Sequence, residues 1–495
     1  MNTRSNNGYS NNNKEKTVVK KWLAATPSPT KLKMLSLVSL LTFLGASECR
    51  AEAQTQNSTQ TPKVSAAQST QYPAPPPLDR SLSAGSPDCQ KYDQYNTRIM
   101  STIYMPSACD TVSPGLFGLR DRLADAGWGI QGSFSPVAEY DIKNRYGSTT
   151  QKYAGQNPSA YSISTLYVTY DLNRIGFPLG AQFTGSASQI FSSDGVGEAP
   201  DMDPAMTTLG INVPLLENTL ELKGGYLLTI QDFVGMNLTG NAGSVAQGLQ
   251  SSIPVLVGMS VYTPTPTAEI TVRDPWTKSF YHHFAVSRSI SSEGGLAELE
   301  QNPTGFRLHT PGTGALYINE FGYKTGFAQN SLPVWARAGF IYNTTDYAKY
   351  DGGVASNNYA SYAGLTMQLT KNANDPGGLS LDVKVDAAPS DRNIFTKDFA
   401  VNLFYVGPFE SRPFDMVSVG YSKTWESPEL QDVVTARGTR NTSRVSTQGA
   451  ISYSYRVMPG IYWISTASLV TNPGTVAEEK LPTALILNEK LIFSF

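Results

Sequence analysis

The sequence predicts an all-β fold: a transmembrane antiparallel β-barrel of about sixteen strands, behind a short N-terminal helix and a disordered N-terminal segment. Three observations carry this. Period-two alternation runs from Trp128 to the C-terminus without a domain break, longer than a soluble sandwich usually sustains, whereas a barrel simply adds hairpins. Tyr and Phe gather near strand ends, as at Tyr161, Tyr167 and Tyr170 or Phe399, Phe404 and Tyr405, where interface girdles would use them. The chain ends Leu491-Ile492-Phe493-Ser494-Phe495, an alternating strand closed by an aromatic residue. Closure satisfies every backbone group in lipid, which an open sheet does not.

From the N-terminus, basic residues Arg4, Lys14, Lys16, Lys20, Lys21, Lys31 and Lys33 precede an apolar stretch, Met34 to Ala46, too short to span a bilayer. Ala51-Glu52-Ala53 follows as a small-residue cleavage signal, so residues 1–53 read as a secretory signal peptide with a long basic n-region. The whole chain holds 38 Lys+Arg against 40 Asp+Glu, net -2. Cleavage after Ala53 removes eight basic and three acidic residues, leaving 30 against 37, net -7. Neither balance suits a nucleic-acid binder, which needs a basic face. Two cysteines remain, Cys89 and Cys109, and an exported chain favours pairing them in one disulfide.

Residues 54–113 form a Gln/Ser/Pro-rich linker, with the extended run Pro73-Ala74-Pro75-Pro76-Pro77, followed by the cysteine-pair segment. The barrel region is 114–495. It opens with an amphipathic helix over 114–127, in which Leu116, Leu119, Leu123 and Ala126 share a face and Gly127 ends the element.

The strands then follow. Ala181, Phe183, Gly185 and Ala187 alternate with Gln182, Thr184, Ser186 and Ser188, and Leu220 and Leu222 flank Glu221. Leu379, Leu381, Val383, Val385 and Ala387 alternate with Ser380, Asp382, Lys384 and Asp386. Val417, Val419 and Tyr421 form another apolar face, as do Ile451, Tyr453, Tyr455 and Val457. Each has one apolar and one polar face. Asp351-Gly352-Gly353, Asp375-Pro376-Gly377-Gly378 and Pro459-Gly460 supply turns. In the terminal strand, Phe495, Phe493, Leu491, Glu489, Leu487 and Leu485 fall on the lipid side. Glu489 there calls for a neighbouring partner or interface, or for a bulge that resets the phase.

Four segments, in order, resemble the carbohydrate-selective porin family of OprB type. They are Gly115 to Gly127 running into Ile130-Gln131-Gly132-Ser133-Phe134; Tyr317-Ile318-Asn319-Glu320-Phe321-Gly322-Tyr323-Lys324; Ala388-Pro389-Ser390-Asp391-Arg392-Asn393; and Leu469-Val470-Thr471-Asn472-Pro473-Gly474 with the terminal strand. The cysteine- and proline-bearing N-terminal segment departs from the simplest family pattern. The resemblance implies a Gram-negative outer-membrane location and passive, selective diffusion of glucose and other sugars. It also implies a terminal strand, with Phe493 and Phe495, read by the barrel-assembly machinery. Sugars, outer-membrane lipid and that machinery are the expected partners, with no cofactor, metal or nucleic acid; monomer and trimer both stay open. An exporter of polysaccharide and a soluble periplasmic sugar-binding or sugar-hydrolysing protein are the alternatives.

A sugar channel must replace hydration with hydrogen-bond partners that bind weakly enough to release. The strand phases place Glu221, Lys223, Glu269, Arg273, Glu320, Lys324, Arg337, Asp382, Lys384, Asp386 and Arg456 inward, a mixed-charge lumen suited to a neutral polar solute. Arg337, Glu320, Lys324 and Arg273 are the leading sugar-contact candidates, then Glu269, Lys384, Asp382 and Arg456. Trp335 or Tyr317 are candidates for stacking on a sugar, and Asp391 and Arg392 for pinning a loop. No G-x-S-x-G, H-E-x-x-H or phosphate loop is present, and no carboxylate spacing singles out a glycosidase pair. His282 and His283 are adjacent on a strand, hence on opposite faces, a poor arrangement for one metal.

Overall fold

The computed structural model describes residues 87–95, 107–144, 151–193, 200–234, 252–325, 332–372 and 377–495. The signal peptide and the linker up to residue 86 lie outside the described residues.

Sixteen strands close one antiparallel barrel. They are β1 (Trp128–Asp141), β2 (Ser159–Asp171), β3 (Gln182–Ser192), β4 (Met202–Leu215), β5 (Leu220–Leu227), β6 (Thr265–Arg273), β7 (Phe280–Arg288), β8 (Ala315–Lys324) and β9 (Val334–Asn343). A two-stranded hairpin, β10 (Tyr347–Ala348) with β11 (Val354–Ala355), stands apart, and Asp351 to Gly353 lie in its turn. The barrel continues with β12 (Asn358–Gln368), β13 (Gly378–Ala387), β14 (Phe395–Val406), β15 (Met416–Glu426), β16 (Val445–Met458), β17 (Ile461–Thr471) and β18 (Ala484–Ser494). Each strand pairs with its sequence neighbour in the barrel, and β1 pairs with β18 to close it. The short turns gather at the end holding Trp128 and Phe495, as at Leu216–Thr219 and Pro459–Gly460; the long loops gather at the other, which faces the cell exterior in a barrel of this kind.

The apolar faces read from the sequence point outward. Val385, Val419, Tyr421 and Ile451 are exposed, while their inward neighbours Lys384, Ser418, Ser422 and Ser452 are buried. The end of the chain is locked into the seam: the Gly132 N–H donates to the Phe495 carbonyl at 2.6 Å, and Phe134 stacks on Phe493 with centroids 6.0 Å apart. Gly132 is required here, because the Phe495 ring occupies the space where a Cβ would sit. The β17–β18 register is continuous from Ile461↔Phe493 to Val470↔Ala484, so no bulge resets the phase. Glu489 stays on the outer wall, where Trp463 Nε1 and Ser465 Oγ donate to it at 2.7 and 2.6 Å.

Ahead of β1, the expected single helix is split. Leu116–Gly118 is a 3₁₀ turn and α2 (Leu119–Asp125) the helix proper, because Phe117 and Gly118 take positive φ (56° and 79°) between them. Gly127 ends it at φ 86°. A preceding helix, α1 (Pro87–Asp93), carries Cys89, which is disulfide-bonded to Cys109. This segment crosses the end of the barrel that holds both the start of β1 and the chain end. On one side, Thr169 and Gln182 donate to the carbonyls of Tyr95 and Gln94. On the other, Asp110 accepts from Arg456, from the Tyr462 hydroxyl at 2.6 Å and from Gly460 N–H at 3.3 Å. Arg120, almost fully buried, ties the turn together through the carbonyls of Ser113 and Pro114.

Candidate functional site

In the longest connection, between β5 and β6, the described residues pack inside the barrel. This connection contains α3 (Thr229–Asp232) and α4 (Ser252–Leu256). Its Ile230, Phe233, Val234, Ile253, Val257 and Met259 are buried against inward-facing Ala285, Leu316, Ile318, Ile341, Ala360 and Tyr362. An apolar patch on the inner wall of a water-filled channel is unfavourable, and covering it with an apolar loop removes both surfaces from water. Polar contacts fix where the loop lies. Lys223 pairs with Asp232 at 2.5 Å, Phe233 stacks on His283 with centroids 3.9 Å apart, and Asn343 donates to the Val257 carbonyl at 2.6 Å. Arg337 Nε donates to the Val234 carbonyl at 3.0 Å.

On the same wall as this loop, strand register stacks the inward side chains in three rows across β8, β9, β12, β13 and β14. The middle row reads Gly322, Arg337, Gly364, Lys384, Ala400. Toward the exterior stand Glu320, Gly339, Tyr362, Asp386 and Asp398; toward the short-turn end stand Lys324, Trp335, Thr366, Asp382 and Asn402. Small residues sit beside long ones for a reason. The Tyr281 ring lies over Gly322 and the Tyr362 ring over Gly339, and both hydroxyls donate to the Glu320 carboxylate at 2.7 Å. Trp335 Nε1 donates in turn to the Tyr281 hydroxyl at 2.8 Å. The guanidinium of Arg337 extends over Gly364, where an added Cβ would come within 2.8 Å of Cζ.

The hydrogen-bond inventory of these rows is uneven. Glu320 is saturated by two tyrosines, and Asp382 accepts from Thr366 at 2.6 Å. Lys324 and Arg337 lie 4.4 and 4.2 Å from the Trp335 ring centroid, so the indole is already engaged by cations. Arg337 Nη1 and Nη2 and Asp386 Oδ2 are buried without a hydrogen bond, and buried Asp398 has the Thr424 side chain as its hydrogen-bonding neighbour. Lys384, on the same row as Arg337 and within electrostatic reach of it and of Asp386, forms no ion pair among the described residues. Two donors and two acceptors with unused capacity are therefore grouped on one wall of the lumen.

The sequence-derived candidates separate accordingly. Arg337, Glu320, Lys324, Lys384 and Asp382 come together in these rows. Glu269 is buried against His283 at 3.2 Å, and Arg273 pairs with Glu221 at 2.9 Å near the short-turn end. Arg456 is engaged by Asp110, away from the rows. Tyr317 is half exposed on the outer wall and cannot stack on a solute in the lumen; its neighbour Ile318 takes the inward phase. His283 faces in, whereas His282 faces out and bonds Asn319 at 2.7 Å. Asp391 and Arg392 do pin a loop: Arg392 pairs with Asp391 at 2.7 Å and donates to the Asn357 carbonyl at 2.6 Å. Asp398 was not singled out by the sequence, although its alternation with Lys397 and Phe399 would place it inward.

The model of the carbohydrate-selective porin, OprB family, matches residues 166–495. The high-pH structure of Pseudomonas putida OprB superimposes with a TM-score of 0.65 at 16% identity, covering 77% of this chain and 97% of that one. The low-pH structure of the same protein gives 0.48 at 15% identity, covering 78% and 98%. No curated protein sequence matches the chain.

Proposed function

We propose that this chain, which belongs to the carbohydrate-selective porin family of OprB type and is an outer-membrane barrel of a Gram-negative bacterium, lets sugars such as glucose diffuse passively through its lumen, with Arg337, Lys384, Asp386 and Asp398 as the contacts. The observation that carries this reading is the set of unused donors and acceptors on one wall. A sugar hydroxyl both donates and accepts, so a neutral polyhydroxylated solute satisfies guanidinium, ammonium and carboxylate together. An inorganic ion satisfies one sign and is repelled by the other. Because these groups are held by the strands, little conformational ordering opposes the engagement of a solute. The chain acts as a channel, and no covalent step is part of this reading.

The test is permeation in liposomes and planar bilayers, with glucose compared against size-matched charged solutes. Wild type is expected to pass glucose faster than the ions. A hydrogen bond to a charged group is worth about 1.5–3 kcal/mol, so Arg337→Ala is expected to weaken sugar block of single-channel current by about tenfold or more. Arg337 also holds the loop through Val234, so Asp398→Asn serves as the companion variant that leaves that anchor in place. Sugars passing no faster than matched ions, with both variants unchanged, would overturn the proposal.

A further inference from the structure

The outer wall of a barrel in lipid excludes charge from its spanning positions most strongly at mid-depth, where a Lys costs about 2–4 kcal/mol, and least near the interface. Among the described outward-facing strand positions, two carry a cation outside any ion pair: Lys397 on β14 and Lys423 on β15. They are neighbours. Lys397 stands opposite Trp425 and Lys423 opposite Phe399, one step apart on the same face. Lys423 Nζ lies 4.6 Å from the Trp425 ring centroid. Both lysines are near the exterior ends of their strands, at the level where Trp marks a head-group region.

The loop directly above, from β15 to β16, adds Arg437, Arg440 and Arg444, all exposed and outside ion pairs among the described residues. It begins with α5 (Pro428–Ala436), whose Glu429 is turned to Ser390 and Ser427. Five cations less the two acids of this helix, Glu429 and Asp432, leave a local charge of +3 on a chain whose total is -2. A cation at this depth is stabilised by an anion at the same depth. The anions available there are the head-group phosphates of the outer leaflet.

The geometry points to a docking site for a phosphorylated glycolipid of the outer leaflet. Lys397 and Lys423 meet one phosphate, the loop arginines lie above for a second, and Trp425 and Phe399 pack against the lipid body. Lysine serves here as a point charge, and arginine adds forked donors. This site lies on the outer wall and is independent of the sugar reading.

The probe is a bisphosphorylated, acylated glucosamine disaccharide in nanodiscs holding the full folded chain, compared with the same lipid stripped of both phosphates. Retained lipid is counted by native mass spectrometry. At about 1 kcal/mol per cation near an anionic surface, Lys397→Gln with Lys423→Gln is expected to lower affinity for the phosphorylated lipid by about thirtyfold. Heat-modifiable gel mobility and glucose permeation should stay unchanged. Arg437→Gln with Arg440→Gln, confined to the loop, should give a partial loss even if the strand variants fold poorly. Equal retention of the two lipids by wild type, or an undiminished preference in both variants, would overturn the inference. So would displacement by inorganic phosphate at the lipid's own concentration, which would mark a simple anion site.

Discussion

Gly339→Ala tests the packing logic of the inner wall. The added Cβ would overlap the Tyr362 ring, which lies across Gly339 to reach Glu320. The ring has to swing away, and Glu320, 1% exposed, then loses one of its two hydroxyl donors. Losing a hydrogen bond to a buried charged group costs about 1.5–3 kcal/mol. Overpacking a tight site costs about 1–3 kcal/mol more. The expected loss is thus about 2.5–6 kcal/mol, read as the shift in equilibrium urea unfolding of the refolded barrel. Two companions separate the parts. Tyr362→Phe keeps the ring and removes only the bond, so it should cost about 1.5–3 kcal/mol. In a Tyr362→Ala background the obstacle is gone, and Gly339→Ala should then cost under about 1 kcal/mol, a coupling well above additivity error. If Gly339→Ala lies within about 0.5 kcal/mol of its parent in both backgrounds, the argument for interleaved glycine and tyrosine fails.

Three further outcomes follow from the same structure. In the β6–β7 turn, Asp274 accepts from Thr277 N–H at 2.7 Å, Thr277 Oγ1 at 2.9 Å and Phe280 N–H at 3.0 Å, chiefly through the Thr277 backbone, and its carboxyl is held down at about 2 against an ordinary 3.8. A depressed folded pKa gives stability that is present above the unfolded value and lost as pH falls through the folded one. Acid titration from about pH 4 to 2 should therefore destabilise wild type more steeply than Asp274→Asn, and equal slopes refute this. Cys89→Ser opens a loop with a sequence separation of 20, worth about 3 kcal/mol to that segment; limited proteolysis there should rise on the order of a hundredfold with the barrel midpoint unmoved, and unchanged cleavage counts against it. Gly132→Ala should impair formation of the folded, heat-modifiable barrel because Phe495 fills that space, whereas Gly449→Ala, with nothing within 4 Å, should not; equal yields refute the seam argument.

The outer wall was legible from the sequence because lipid imposes one rule at every second position. Each apolar face read in advance, from Phe183 to Tyr455, lies outside, and the closed order of sixteen strands follows. The inner wall obeys no such rule. Leu316, Ile318 and Ile341 are apolar yet face inward, because a loop from between β5 and β6 covers them, and this contact joins residues far apart in the chain. Tyr317 falls on the phase opposite to Glu320 in the same strand, so the two could not both face the lumen. The pairing of Arg456 with Asp110 and of Arg273 with Glu221 could not be recognised from the sequence, since each depends on register or on a segment outside the barrel. A usable signal did exist in Gly322, Gly339 and Gly364, which fall on the inward phase where a side chain would otherwise stand. Such positions mark places where a neighbour's long side chain crosses.

Arg337 joins the loop to the rows on the same wall. Its Nε is spent on the Val234 carbonyl, so it fixes how far the loop reaches, while Nη1 and Nη2 remain unused beside Lys384. The same side chain is held over Gly364 and against Trp335, so it links the loop to β12 as well as to its own strand. Lysine could supply the charge but not both functions, because a single ammonium lacks the separate, rigidly spaced donors of a guanidinium. Val234, Arg337 and Trp335 are thus joined by direct contacts, from the loop through the guanidinium to the indole. Arg337, Lys384, Asp386 and Asp398 all sit on strands, β9, β13 and β14, so the loop is held by one member of a strand-borne set.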